Sequence, residues 1–234
     1  MDVGSHSSPG TGSPRMLVTA GPTWEPVDEV RFFGNRSSGR MGLEIARAAA
    51  ALDLPVTLLR GPAVPDPPAA IGPSGVHDVR FRTAAELDER LRECWPSHDI
   101  LVMAAAVADH RPIRRPGDPP KRRRRDGPVT IELEPVPDLL AGLAEIPHPG
   151  TRIGFALEPA DELAASARAK LARKRLHAIV ANPLETMDAG EVDGRLILPD
   201  GSERRPPSSP CSKAAFADWL VPQLRELHAA RGGG

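Results

Sequence analysis

The chain of 234 residues has no tyrosine, only two cysteines, Cys94 and Cys211, and only four lysines among its 30 basic residues. Each scarcity excludes something. Two cysteines are too few for a disulfide scaffold or a four-thiolate zinc site, and both read as reduced thiols in a cytoplasm. The seven histidines do not fall at metal-ligand spacings. No apolar run reaches the ~18 residues a membrane span needs, and residues 1–15 carry no apolar stretch that would make a secretory signal. The formal net charge of -1 gives no bulk attraction to nucleic acid or to a membrane surface.

What is present reads as one α/β domain over residues 16–230. Residues 1–15 are rich in Gly, Ser and Pro and read as a disordered tail. Short apolar runs at Met16–Ala20, Pro55–Leu59, Val76–Phe81 and Asp99–Ala106 read as buried strands. Between them, residues 36–54 are helical, with Ser37 or Ser38 as cap, and Thr83 caps a helix with Glu86 in the capping-box position. Further on, Val129–Glu134 alternates as a strand, Pro137-Asp138 opens a helix, and Arg152–Ala156 and His177–Asn182 are strands flanking the helix Ala160–Arg175. Asp200-Gly201 is the turn of a hairpin, and a last helix carries Pro222. This alternation predicts a Rossmann-like, doubly wound, mostly parallel sheet with a C-terminal hairpin and helix. Ligands of such sheets bind at the carboxyl ends of the strands, here the loops after Ala20, Ala106, Ala156 and Asn182.

Residues 107–128 interrupt the pattern with eight Lys or Arg and five Pro, and read as a mobile basic loop. Three readings are open: a solvated charge run, a nucleic-acid patch (without the aromatics that stack bases), or a flap that closes over phosphates. The segment Gly34 to Gly42, GNRSSGRMG, either packs helix on strand or lets backbone N–H groups meet an anion. The strand ending in Leu59-Arg60 lacks the acidic residue that would hold the ribose of NAD, which argues against a dinucleotide dehydrogenase. Asp109 stands at the end of an apolar strand, as a turn residue, a ribose or base contact, or a metal ligand. Lys170 and Lys174 share one helix face, either as a solvated stripe or as phosphate contacts.

Together TAGPTWEPVDEVRFFGNRSSGRMG, AAAVADHRP, the Lys/Arg cluster, PDLL, GFALE and KLARKRLHAIVAN resemble the phosphopantothenate–cysteine ligase family of coenzyme A synthesis, over Met16 to Leu227. The resemblance implies a ligase in which CTP, or ATP in some members, activates the carboxylate of 4′-phosphopantothenate with Mg²⁺. Cysteine then attacks the acyl-nucleotidylate. It further implies that Asn35 holds the acyl-nucleotidylate and that Lys121, on the flap, serves the second half-reaction. Met103, Ala104, Ala105, Asp109, Pro137, Asp138, Leu139, Leu140, Phe155, Lys170 and Lys174 are implied as nucleotide contacts. Gly21, Gly34, Ser37, Ser38, Gly39 and Gly42 are implied as phosphate or substrate contacts. A cytoplasmic homodimer is implied, with a separate flavin-dependent decarboxylase acting next and with no nucleic-acid or membrane partner.

The sequence departs from the family pattern at Val136, where an asparagine is usual, at Arg122, Arg123 and Arg124, where lysines are usual, and at His110, where an aromatic is usual. These departures motivate two rival expectations: a related acid–amine ligase acting on another carboxylate, and a non-catalytic nucleotide-binding homologue.

Overall fold

The computed structural model describes residues 12–67, 75–186 and 190–232. Its first half is built from β1 (Met16–Ala20), β2 (Trp24–Pro26), β3 (Phe32–Gly34), α1 (Arg40–Ala51), β4 (Val56–Arg60), β5 (Val76–Arg80), α2 (Ala84–Cys94) and β6 (Ile100–Met103). There follow β7 (His110–Pro112), β8 (Leu133–Pro135), α3 (Leu139–Ala144), β9 (Thr151–Glu158), α4 (Leu163–Arg173) and β10 (Ala178–Pro183). The chain closes with β11 (Glu191–Val192), β12 (Arg195–Ile197), β13 (Glu203–Arg204), β14 (Cys211–Ser212) and α5 (Lys213–Gly232).

Eight strands form the central sheet in the order β13-β12-β10-β9-β6-β1-β4-β5, parallel except for the β12–β13 edge. The central strands β1 and β6 are almost wholly apolar because both their faces are covered. Met16 and Val18 point to the face that holds Ile45 of α1 and Phe216 and Leu220 of α5. Leu17 and Leu101 point to the opposite face, with Leu87 and Leu91 of α2, Leu143 of α3 and Leu171 of α4. The order reverses between β1 and β6, so a crevice opens at their carboxyl ends.

Local chemistry places several elements as expected. The Thr83 hydroxyl accepts the Glu86 N–H at 3.2 Å, and the Glu86 carboxylate accepts the Arg82 N–H at 2.7 Å. The β12–β13 hairpin turns at Asp200-Gly201, with Gly201 at φ 85°.

Elsewhere the structure corrects the sequence reading. The first helix starts at Arg40, after Gly39 at φ 66°, and no serine side chain caps it. The region read as one long loop after β1 contains the antiparallel pair β2–β3, with Trp24 stacked on Phe32. The fourth buried strand ends at Met103 rather than Ala106. The alternating run Val129–Glu134 is not a sheet strand: only Leu133–Pro135 pairs, with β7, and Val129 and Ile131 stay exposed. Alternation marks a strand only when one face finds a core, and here none covers it. Of the segment read as a disordered tail, residues 1–11 lie outside the described residues. Arg15 is held: its N–H donates to Asp99 Oδ2 at 2.7 Å, and its carbonyl accepts from Asp99 and Ile100.

The basic loop is likewise anchored rather than loose. Ile113 N donates to Glu132 O at 2.9 Å, and Arg111–Glu134 and Arg115–Glu132 ion pairs lace its two arms together. Its tip rests on the turn between β2 and β3. Asp28 accepts the N–H groups of Val30, Arg31 and Arg122 and pairs with the Arg31 guanidinium. Burial acts to raise the Asp28 carboxyl, but these donors outweigh it and hold its pKa well below the usual carboxylate range. Asp28→Ala is therefore expected to release the flap tip. Trypsin should then cut the 121–125 run several-fold faster than in the parent chain, with the unfolding midpoint little changed. An unchanged digestion rate would refute this anchoring role.

Candidate functional site

The carboxyl-end crevice is a cavity of about 710 Å³. Four stretches of backbone set its floor. Gly42 lets α1 start against β1, because a Cβ there would lie 2.7 Å from the Thr19 carbonyl oxygen and from Ala20 Cβ. Beyond β6 the chain runs beside residues 21–23. Thr19 Oγ1 accepts the Ala105 N–H at 3.0 Å, the Gly21 carbonyl accepts the Ala106 N–H at 2.9 Å, and Thr23 Oγ1 accepts the Ala108 N–H at 3.0 Å. These bonds turn Met103, Ala104 and Ala105 toward the cavity. Asn35 then bridges the two sides, its Nδ2 donating to the Val107 carbonyl at 2.9 Å. On the far side, the Asp109 carbonyl accepts the Val136 N–H at 2.9 Å, which sets where α3 begins.

The residues singled out from the sequence converge here. Gly34, Asn35, Ser37, Ser38, Gly39 and Gly42 line the α1 side. Met103, Ala104, Ala105 and Asp109 line the β6 end, Phe155 the β9 end, and Pro137, Asp138, Leu139 and Leu140 the start of α3. Lys170 and Lys174 enter from α4. Val136, the first departure from the family pattern, is also on the wall.

Two residues are not brought in. Gly21 lies behind the wall, where a Cβ would meet Val64 Cγ2 at 2.3 Å. A Cβ on Gly39 would meet the same methyl group at 2.4 Å, so Val64 packs against both glycines. Lys121 is not on the cavity wall, because the flap tip is docked on the Asp28 turn.

The two cavity lysines of α4 differ in their surroundings. Lys170 Nζ donates to Glu158 Oε1, which also accepts the Ser166 hydroxyl at 3.0 Å. The Lys170 ammonium, more than the opposing burial, keeps the Glu158 carboxyl below its ordinary range. Glu158 stands behind Lys170 and not on the wall. Lys174 Nζ lies 3.1 Å from Asp138 Oδ2, while Asp138 Oδ1 accepts the Ala141 N–H at 3.2 Å and so caps α3. Asp138 thus ties the start of α3 to the end of α4. Asp109 makes no ion pair among the described residues. The wall carries six cationic residues (Arg36, Arg40, Lys170, Arg173, Lys174 and Lys213) against two carboxylates, so it favours a polyanion.

Sequence reasoning pointed to the loop after Asn182 without naming the residue that matters there. Asn182 lines the cavity, and its Oδ1 is buried with no hydrogen-bond partner among the described residues. A buried acceptor left unpaired is costly and fits a ligand donor such as a ribose hydroxyl. Lys213 was also missed; only the scarcity of lysine could have flagged it.

Comparison with known proteins gives a consistent result. The family described as DNA/pantothenate metabolism flavoprotein C-terminal domain matches residues 12–227. The coenzyme A biosynthesis bifunctional protein CoaBC of Mycobacterium tuberculosis (strain ATCC 25618 / H37Rv) is 40% identical over 201 residues, covering 81% of this chain and 47% of that protein. A cysteine/cysteine sulfinic acid decarboxylase from an unknown prokaryotic organism is 41% identical over 177 residues, covering 75% of this chain and 47% of that protein. The chain therefore spans about half the length of the curated relatives it matches. The crystal structure of the C-terminal domain of a coenzyme A biosynthesis bifunctional protein CoaBC superposes with TM-score 0.74 at 32% identity, covering 93% of this chain and 96% of that one.

Proposed function

This chain belongs to the DNA/pantothenate metabolism flavoprotein C-terminal domain family, and on that premise we propose that it is a ligase joining 4′-phosphopantothenate to L-cysteine in coenzyme A biosynthesis. CTP is the proposed activating nucleotide, with ATP the alternative. The observation that carries the reading is the convergence of Asn35, Asp109, Phe155, Lys170 and Lys174, from four separate segments, on one net-positive cavity.

The chemistry asks for such a cavity. A carboxylate resists amines until one of its oxygens becomes a good leaving group. Attack of the acid's carboxylate oxygen on the α-phosphorus breaks the α–β phosphoanhydride bond and releases pyrophosphate. The cysteine amine then adds to the acyl carbon, and the nucleoside monophosphate departs. Lys170 and Lys174 offset charge that builds on the phosphates. Asn35, fixed by Val107, positions the acyl-nucleotidylate. Asn182 offers a polar contact to the nucleoside. No cluster of three or more His, Cys, Asp or Glu suited to a metal occurs among the described residues. The fitting donor is Asp109, a single carboxylate with no ion pair among the described residues, which suits a Mg²⁺ carried mainly by substrate phosphates. Asp109 would help hold the ion, which when bound would supply positive charge to offset that of the departing pyrophosphate.

Lys121 serves the second step only if the flap leaves the Asp28 turn. Lys121→Gln is expected to slow cysteine-dependent amide formation about tenfold or more while sparing pyrophosphate release from the first step. An unimpaired overall rate would refute the flap role.

No helix among the described residues is long and apolar enough to cross a membrane. We further propose a cytoplasmic homodimer that hands its product to a flavin-dependent decarboxylase. Support for the dimer comes from Val30, Phe32 and Phe33 on the β2–β3 ribbon and Leu133 on β8, all exposed apolar side chains.

The direct test is pyrophosphate release with 4′-phosphopantothenate and Mg²⁺, with CTP or ATP in parallel, with and without cysteine. Sustained turnover only when cysteine is present supports the ligase and names the nucleotide. Silence with both nucleotides from folded protein overturns it. Val136 on the cavity wall favours one second reading, the same chemistry on another carboxylate, which turnover of that acid alone would reveal.

A further inference from the structure

Lys213 is the one lysine of the chain that neither the sequence motifs nor the proposed mechanism uses. It is the first residue of α5 and lines the cavity from the sheet face opposite to α4. The Lys170 and Lys174 charges are offset by Glu158 and Asp138. The Lys213 ammonium has no ion pair among the described residues. Both carboxylates of the wall, Asp109 and Asp138, come from the segments after β6 and before α3. Glu191, which pairs with Ser212 across β11–β14, is near in the fold, but it forms no ion pair with Lys213 among the described residues.

The packing explains why this charge is aimed at the cavity. α5 lies alongside α1, and Arg47 of α1 reaches Asp218 of α5 at 2.6 Å. Towards its far end, His228 meets Thr151 at the start of β9, at 3.0 Å, so α5 runs from the cavity edge of the sheet to the opposite edge. α1 follows β1 and runs the same way. The two helices therefore begin side by side at the cavity, with Met41 and Gly42 on the same wall as Lys213.

We infer that Lys213 is a phosphate-binding residue of this cavity, meeting on the α1–α5 side a phosphate group brought by the nucleotide or by the acid. The inference rests on the ligase reading for the identity of those ligands. An ammonium is a compact, strongly hydrated donor suited to phosphate oxygens, and the N–H groups at the start of α1 add to its field. Lys170 and Lys174 serve the α4 side, so the phosphates of the nucleotide and of the phosphorylated acid, bound at once, would each meet a lysine.

The test is calorimetric binding of inorganic pyrophosphate, 4′-phosphopantothenate and cytidine to the parent chain, Lys213→Gln and Lys213→Arg. Unfolding midpoints are matched first. The expected result is a loss of about tenfold or more in Lys213→Gln for pyrophosphate or for 4′-phosphopantothenate, no change for cytidine, and recovery in Lys213→Arg. The arm that weakens names the source of the phosphate. Unchanged binding of both anions by Lys213→Gln, or no binding of either by the parent chain, overturns the inference. A parent chain that binds pyrophosphate in a Lys213-dependent way yet never releases it from CTP or ATP would instead sink the ligase reading alone.

Discussion

Asp78→Ala is expected to lower the free energy of unfolding by about 3–5 kcal/mol, while Arg60→Met costs far less. Arg60 ends β4 and its side chain is 2% exposed. Its Nε lies 2.8 Å from Asp78 Oδ1 and its Nη2 2.5 Å from Asp78 Oδ2, a bidentate pair, while Nη1 donates to the Val64 carbonyl at 2.9 Å. The Asp78 hydrogen bonds, ahead of the opposing burial, raise the guanidinium's pKa further. Removing the carboxylate leaves a buried charge with only the exposed Asp66, 2.8 Å from Nη2, to answer it. Removing the arginine takes the charge away and leaves Asp78, a quarter exposed, to reach water. Urea unfolding followed by tryptophan fluorescence measures both. A cost below ~1 kcal/mol for Asp78→Ala would mean that Asp66 suffices. The pair also has a functional consequence. Arg60 holds the loop that carries Val64, and Val64 packs against Gly21 and Gly39. Asp78→Ala should therefore loosen the cavity's α1 wall and weaken nucleotide binding as well.

Lys174→Glu is expected to cut kcat/KM for the nucleotide about a hundredfold or more, with Lys174→Gln intermediate. A charge-assisted contact to phosphate is worth roughly 1.5–3 kcal/mol, and the new carboxylate adds repulsion towards both the phosphates and Asp138. Asp138 would still cap α3 through Oδ1, so the fold should survive. Lys174 sits at the C-terminal end of α4, where a cation suits the helix dipole, so its reversal also costs about 0.5 kcal/mol of stability. Steady-state kinetics alongside the unfolding midpoint separates the two effects. A kcat/KM within about threefold of the parent would show that Lys174 answers Asp138 and not the nucleotide.

The anchored flap bears on both steps of the proposed reaction. Its arginines are largely engaged by carboxylates of the ribbon and of the β2–β3 turn, among them Arg111 with Glu134 and Arg114 with Glu29. A flap docked this way leaves the cavity open for two substrates to enter. Asp28 is the contact whose release would let Lys121 approach them.

Local chemistry was legible wherever one short segment held all of it. The apolar run Met16–Ala20 could only be a buried strand, Thr83 and Glu86 could cap α2 with bonds to their own neighbours, and Asp200-Gly201 could turn a hairpin on its own. Motif residues such as Asn35, Asp109 and Lys174 could be named because the segments that carry them resemble the motifs of a known family. The fate of Val129 and Ile131 could not, since alternation says nothing about whether a core waits on one side. Neither could the place of Gly21, which depends on Val64 some forty residues later.

The sequence by itself determined the α/β class, most of the helices and strands, and the residue types that meet at the cavity. Only the tertiary structure decided which carboxylate answers which lysine, where the flap rests, and that Lys213 faces the same space as Lys170. The physical reason is that strand runs, caps and turns act over a few residues. Those pairings depend on the sheet order, which carries side chains tens of residues apart to one edge.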